Sequence, residues 1–247
     1  MVAKMDRIPF SDIRLAIVCP LANEEATAVP FVDAVLRQCL AGNFASVKFL
    51  AILDRACTDK TLELLKAHAT KQPLLDVVWA PENKGIVDAY IRGYREALAR
   101  NSDWILEIDA GFSHQPEDIP QFLEKMAEGY DCVFGSRFCQ GGRVDNIPWT
   151  RLIVSRGGTW LTNLMLKTKL QDMTSGFELF SRAALQAVLT QGIRSRGKFF
   201  QTEIKTICRN MRIAEVPIHY RSPTGGIGSS ELADSFINLW RLYRVCR

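Results

Sequence analysis

Polar residues able to do chemistry follow short apolar runs in this chain. They are Asn23 and Glu24, Asp54 and Arg55, Asn83 to Gly85, Asp109 to Gly111, and Arg137. Further on, Arg151 and Ser155 stand four apart in a helical pattern, which puts both on one helix face and lets both reach a single anionic group. A guanidinium fork binds phosphate bidentately, so arginine suits that duty better than lysine. Other chemistries are excluded by spacing. No Gly-x-Gly-x-x-Gly follows the first apolar run and no Walker lysine motif occurs, which argues against dinucleotide dehydrogenases and P-loop enzymes. The seven cysteines contain no Cys-x-x-Cys pair, which fits reduced thiols rather than a zinc site or a disulfide frame.

The elements that must position these residues alternate. Strands are expected at Leu15–Pro20, Val47–Leu53, Leu75–Trp79, Trp104–Asp109 and Cys132–Ser136, with helices near Thr27–Leu40, Thr58–Ala69, Ile86–Ala99 and Pro116–Met126. Such alternation predicts an α/β fold with a mainly parallel central sheet flanked by helices, whose ligands sit at the carboxyl ends of the strands. The second half is less regular: helices over Thr150–Leu166, Ala183–Leu189 and Phe199–Asn210, a strand at Ile213–His219, a glycine-rich loop from Ser222 to Ser230, and a last helix from Glu231 to Val245. No repeat or long linker divides the chain, so one domain is expected over 1–247, its second half forming the other wall of a cleft.

The net charge of +4 hides a division. Residues up to Ser136 carry 14 basic and 20 acidic side chains, whereas the remainder carries 17 basic and 7 acidic. A total of +4 gives no ground for a nucleic-acid partner. The apolar runs are far shorter than the roughly 20 residues of a membrane-spanning helix, and no apolar signal core follows Lys4. A cytoplasmic protein is expected, soluble or peripheral on the inner face of the membrane. Two segments bear on membrane contact: Trp160, Leu161, Leu164, Met165 and Leu166 beside Lys167 and Lys169, and Phe236, Leu239, Trp240, Leu242, Tyr243 and Val245 beside Arg241, Arg244 and Arg247. Amphipathic helices of this composition lie in a lipid interface, or pack on a core or a second copy.

Read in order, Pro20 with Asn23-Glu24, Leu53-Asp54 with Thr58-Asp59-Lys60-Thr61, Asn83-Lys84-Gly85, Ile108-Asp109-Ala110, Phe112-Ser113-His114, Gly135-Ser136-Arg137, and Asp172 with Thr174-Ser175-Gly176-Phe177 give a pattern that resembles the family 2 glycosyltransferases. Within that family it is most similar to the dolichyl-phosphate or polyprenyl-phosphate mannosyltransferases, over about Ile17 to Leu232. The resemblance implies a GT-A (Rossmann-like) fold and an inverting transfer of mannose or another hexose from a nucleoside-diphosphate sugar to a polyprenyl phosphate. It divides the chain into a donor half (about 13–136), an acceptor half (about 137–230) and a C-terminal amphipathic helix (231–247). By the same resemblance, Pro20, Asn23, Glu24, Asp54, Lys84, Gly85, Asp109, Ala110, Gln201 and Arg221 belong to nucleotide-sugar binding. Asp109, Arg137, Arg151 and Ser155 belong to catalysis and phosphate contact, and Asp109 to Mg²⁺ or Mn²⁺.

Two departures bear on that expectation. Where the family's Asp-x-Asp metal motif has its second aspartate, this chain has Gly111, so a site resting on fewer carboxylates or no metal at all both stay open. Glu107 lies on the same strand face as Asp109 at about 6.6 Å, a poor fit for two ligands of one ion, and is expected to partner a basic residue. At Asp54-Arg55 the family has paired aspartates; Arg55 either alters base recognition or faces solvent. His114 is expected to shape the loop after Asp109. An ionised acceptor phosphate would need no general base. Two alternatives accompany this reading: transfer to a soluble or glycan acceptor, and an impaired protein that binds nucleotide sugar without turning it over.

Overall fold

The computed structural model describes residues 9–146, 148–221 and 229–245, with side chains of the last segment described from Ala233 onward. The elements in chain order are β1 (Arg14–Pro20), α1 (Ala28–Leu40), β2 (Ser46–Leu53), α2 (Thr61–Ala69), β3 (Leu75–Trp79), α3 (Ile86–Ala99), β4 (Trp104–Glu107), α4 (Ile119–Ala127), β5 (Cys132–Ser136), β6 (Arg143–Asp145), α5 (Trp149–Leu166), β7 (Glu178–Ser181), α6 (Arg182–Gln191), α7 (Phe200–Ile207), β8 (Ile213–Pro217), β9 (His219–Arg221) and α8 (Ser229–Val245).

Seven strands form one sheet in the order β3-β2-β1-β4-β7-β5-β8. All neighbours pair in parallel except β7, which runs antiparallel to both β4 and β5. A sheet covered on both faces makes nearly continuous apolar strands, and β1 is buried from Leu15 to Pro20. Alternate residues serve opposite cores: Leu15, Ile17 and Cys19 pack with Phe31, Val35 and Phe122 of α1 and α4, while Ala16 and Val18 pack with Tyr90, Tyr94, Leu185 and Ile204 of α3, α6 and α7. Gly93 lets α3 approach closely, because a Cβ there would overlap Val18 of β1.

The expected parallel strands are present, with revised ends. The fourth stops at Glu107 rather than Asp109, where the ladder with β1 ends and the chain turns through Gly111 and Phe112 in left-handed conformation. The second helix begins at Thr61 rather than Thr58, because side chains knit residues 54–60 into a loop. Asp54 Oδ1 accepts from Ala56 N (2.8 Å) and Asp59 Oδ1 from Thr61 N (3.0 Å). The sequence reading missed β7, whose short run opens on the charged Glu178. It also merged β8 with β9, which are broken at Ile218; β9 pairs with β6 in a separate two-stranded ribbon.

No helix among the described residues is long and apolar enough to cross a membrane. The two amphipathic helices pack on each other through one face, with Leu166 of α5 and Leu239 and Leu242 of α8 buried around Phe199. Their other faces leave Trp149, Ile153, Trp160 and Leu164 of α5 and Phe236, Ile237 and Trp240 of α8 exposed.

Candidate functional site

Because β1 and β4 are parallel neighbours, the loops that leave their carboxyl ends lie side by side. That adjacency brings Glu24 to Gly111, where an added Cβ would lie 2.7 Å from Glu24 Oε1. Asn23, at φ 59°, stitches the β1 loop to the β2 loop: its amide donates to Ala56 O (3.0 Å), and its Oδ1 accepts from Thr58 N (2.9 Å). Asp54 is buried within the same stitched loop, while Arg55 is exposed. Pro20 ends β1, and Leu21 N continues the pairing to Ile52 O.

The Asp109 side chain, two residues past the end of β4, is 45% exposed. Its Oδ1 accepts a hydrogen bond from Tyr90 of α3. Its Oδ2 lies 3.7 Å from Nδ1 of His114, a buried atom with no hydrogen-bond partner. His114 packs against Phe177 and Tyr220, and burial pushes its imidazole down to about 4, so it is neutral near pH 7. The expected loop-shaping position of His114 is thus where the chain puts it.

Beneath Asp109, Glu107 is buried and differs from its expected pairing. It accepts from Tyr94 and from the Gln201 amide instead of meeting a basic residue. Antiparallel register sets Glu107 directly opposite Glu178, and it is Glu178 that takes the base, Lys205 Nζ at 3.2 Å. Burial, then the Glu178 carboxylate, holds the Glu107 carboxyl well above its usual range. Burial likewise raises Glu178, to about 7, against the pull of Lys205. Gln201 links this layer to the site, since a Cβ added at Gly176 would meet both Gln201 Nε2 (2.9 Å) and Asp109 Oδ2 (3.6 Å).

The basic half divides its arginines. The Arg137 fork is engaged within the protein by Asp172 and Thr174, the latter at 2.5 Å. Arg137 and Arg156 lie 5.0 and 5.1 Å from the Phe138 ring centroid, and Arg156 is exposed. Arg151 and Ser155 are half-buried one turn apart on α5. Arg221 is exposed in β9, its Nε 3.9 Å from Asp145. Lys84 and Gly85, at the start of α3, line a cleft of 460 Å³ with Arg196, which pairs with Asp88 at 2.7 Å. Residues 222–228 of the expected glycine-rich loop lie outside the described residues. The sequence reading did not find Tyr90, Tyr94 or Lys205. Tyr90 and Tyr94 stand four apart on a helix facing the sheet, a signal that also fits plain core packing.

The profile of the glycosyl transferase family 2 domain matches residues 16–189. The chain belongs to glycosyl transferase family 2. It is 34% identical over 171 residues to an undecaprenyl-phosphate mannosyltransferase of Micrococcus luteus, covering 68% of this chain and 70% of that one. It is 28% identical over 217 residues to a polyprenol monophosphomannose synthase of Mycolicibacterium smegmatis, covering 87% and 80%. Its fold is similar to glucosyl-3-phosphoglycerate synthase from Mycobacterium tuberculosis, solved with Mn²⁺, UDP and glucosyl-3-phosphoglycerate. The TM-score is 0.67 and the identity 18%, over 94% of this chain and 80% of that one. The expected GT-A architecture and glycosyltransferase family are therefore borne out.

Proposed function

We propose that this glycosyltransferase moves mannose or another hexose from a nucleoside-diphosphate sugar to a polyprenyl phosphate, with inversion, at the cytoplasmic surface of a membrane. The observation that carries the reading is Asp109, half-exposed just past the carboxyl end of β4 and braced by Tyr90, in a chain whose second half is rich in arginine. Similarity to the two polyprenyl-phosphate-type mannosyltransferases supports the acceptor.

Donor contacts are assigned to Pro20, Asn23, Glu24, Asp54, Lys84, Gly85 and Ala110, with Gln201 and Arg221 toward the sugar and diphosphate. Mg²⁺ or Mn²⁺ fits this edge. Asp109 keeps Oδ2 clear of Tyr90, and Mg²⁺ commonly takes one or two carboxylates and completes its shell with water and substrate phosphates. No group of three or more potential ligands stands together among the described residues, so the diphosphate would contribute part of the shell. A cation held by Asp109 would offset charge growing on the departing diphosphate. Neutral His114 adds no competing positive charge beside that carboxylate.

Arg151 and Ser155 receive the acceptor phosphate, whose oxygen is already ionised and needs no base. Arg137 braces the turn at Asp172–Gly176 behind Gln201 through its Asp172 fork. The exposed faces of α5 and α8 suit a lipid interface, with Arg244 stacked 5.4 Å over Trp240.

The test offers radiolabelled UDP- and GDP-sugars to the chain with a short-chain polyprenyl phosphate, in Mn²⁺ or in EDTA. Label should enter the organic phase. Transfer only to water-soluble acceptors, or nucleotide binding without any transfer, would overturn the acceptor assignment or the catalytic reading respectively.

A further inference from the structure

The side chain missing at residue 111 leaves a space, and the structure fills it. A Cβ built on Gly111 would lie 2.7 Å from Glu24 Oε1 and 3.1 Å from both Cδ and Oε2. The Glu24 carboxylate therefore stands where a side chain at position 111 would begin. This follows from topology: Glu24 leaves β1, Gly111 follows β4, and the two strands are parallel neighbours.

Glu24 is held in place. Its Oε2 accepts from Thr27, its backbone N donates to the Thr61 hydroxyl (2.8 Å), and its carbonyl takes the first α1 amides, Thr27 N at 2.9 Å and Ala28 N at 2.7 Å. Oε1 is the oxygen turned to Gly111. Gly111 at φ +75° and Phe112 at φ +56° are consecutive left-handed residues, a costly conformation for a bulky side chain and one that functional loops retain.

A second observation points to a ligand. His114 Nδ1 is buried, aimed at Asp109 Oδ2 and unpartnered, and so buried a polar atom ordinarily has a partner.

We propose that Glu24 supplies, from the neighbouring strand, the second carboxylate of the divalent-cation site that Asp109 begins and Gly111 cannot complete. The inference deepens the functional reading above and rests on it for the nucleoside diphosphate that would share the cation. It accounts for glycine at 111: any side chain there would displace the carboxylate that replaces it.

The experiment is Mn²⁺ binding to the full chain, followed by electron paramagnetic resonance of free Mn²⁺ with UDP or GDP present. Glu24→Gln keeps the shape and the Thr27 contact and removes only the charge. It should weaken Mn²⁺ binding at least about tenfold, the lower end of what loss of even an outer partner costs a metal site. Glu24→Ala should do the same. Adding Gly111→Asp to Glu24→Ala should restore most of the lost affinity, since the new carboxylate then has vacant space. Circular dichroism melting of every variant separates lost binding from lost fold, and the restoring pair gives a gain that misfolding cannot mimic. Undiminished Mn²⁺ binding by Glu24→Gln, no wild-type Mn²⁺ binding with either nucleotide, or no recovery in the double variant would overturn the proposal. Sugar transfer is scored separately. Turnover with cation-insensitive variants sinks this inference and leaves the functional reading standing, whereas cation loss without any wild-type transfer does the reverse.

Discussion

The Arg137 guanidinium grips Asp172 as a fork, Nε to Oδ2 at 2.7 Å and Nη2 to Oδ1 at 2.8 Å, with both side chains out of solvent. Removing one partner of such a pair strands the other charge. Asp172→Ala should lower unfolding free energy by about 3–5 kcal/mol in urea titration. Joint replacement, Arg137→Met with Asp172→Leu, should cost less than either single change. Equal losses in single and double variants would contradict the pairing as the source.

The same pair sets an acid limit. Burial alone would raise Asp172, but Arg137 holds its carboxyl down to about 2, below the unfolded value near 3.8. A depressed carboxylate contributes stability above the unfolded value and loses it as pH falls toward the folded one. About 2.5 kcal/mol should therefore disappear between roughly pH 4 and pH 2. Chemical denaturation across that window measures it, and in Asp172→Asn this component should be absent.

Asp109→Asn preserves shape and removes charge. Sugar transfer should fall by at least about a hundredfold in kcat/KM, the range for loss of one preorganised charge-stabilising group, with an unchanged melting temperature. Near-wild-type transfer would remove Asp109 from the chemistry.

Glu107 accepts from both Tyr94 and Gln201 in the buried layer beneath Asp109. Glu107→Ala strands both donors and should destabilise the chain by about 2–3 kcal/mol. Tyr94→Phe, which leaves Gln201 in place, should cost less, and thermal melts of the two variants decide the order.

Trp160 and Trp240 lie on the outward faces of α5 and α8, 67% and 52% exposed. Trp160→Glu with Trp240→Glu should abolish flotation with anionic vesicles and leave the circular dichroism melt unchanged. Undiminished flotation would clear these faces of lipid contact.

Legibility in the sequence followed the physics of each feature. The parallel strands from β1 to β5 could be read because strands buried on both faces are apolar throughout. β7 could not, because Glu178 looks like a surface residue until Lys205 is found beside it. Asp109 was legible from its place at a strand end. The Arg137–Asp172 fork was not, since 35 residues separate the partners and the resemblance gave Arg137 another duty. The meeting of Glu24 with Gly111 needs the strand order itself, which no local pattern records.

The antiparallel insertion of β7 between β4 and β5 has a mechanical consequence. It hydrogen-bonds the strand that leads to Asp109 to the strand that leads to Arg137, through Leu106↔Leu179 and Val133↔Leu179. The two walls of the cleft thus share one backbone lattice and cannot swing apart as clamshell halves. Relative motion at the site would therefore fall to the loops at the carboxyl ends of the strands rather than to a hinge through the sheet.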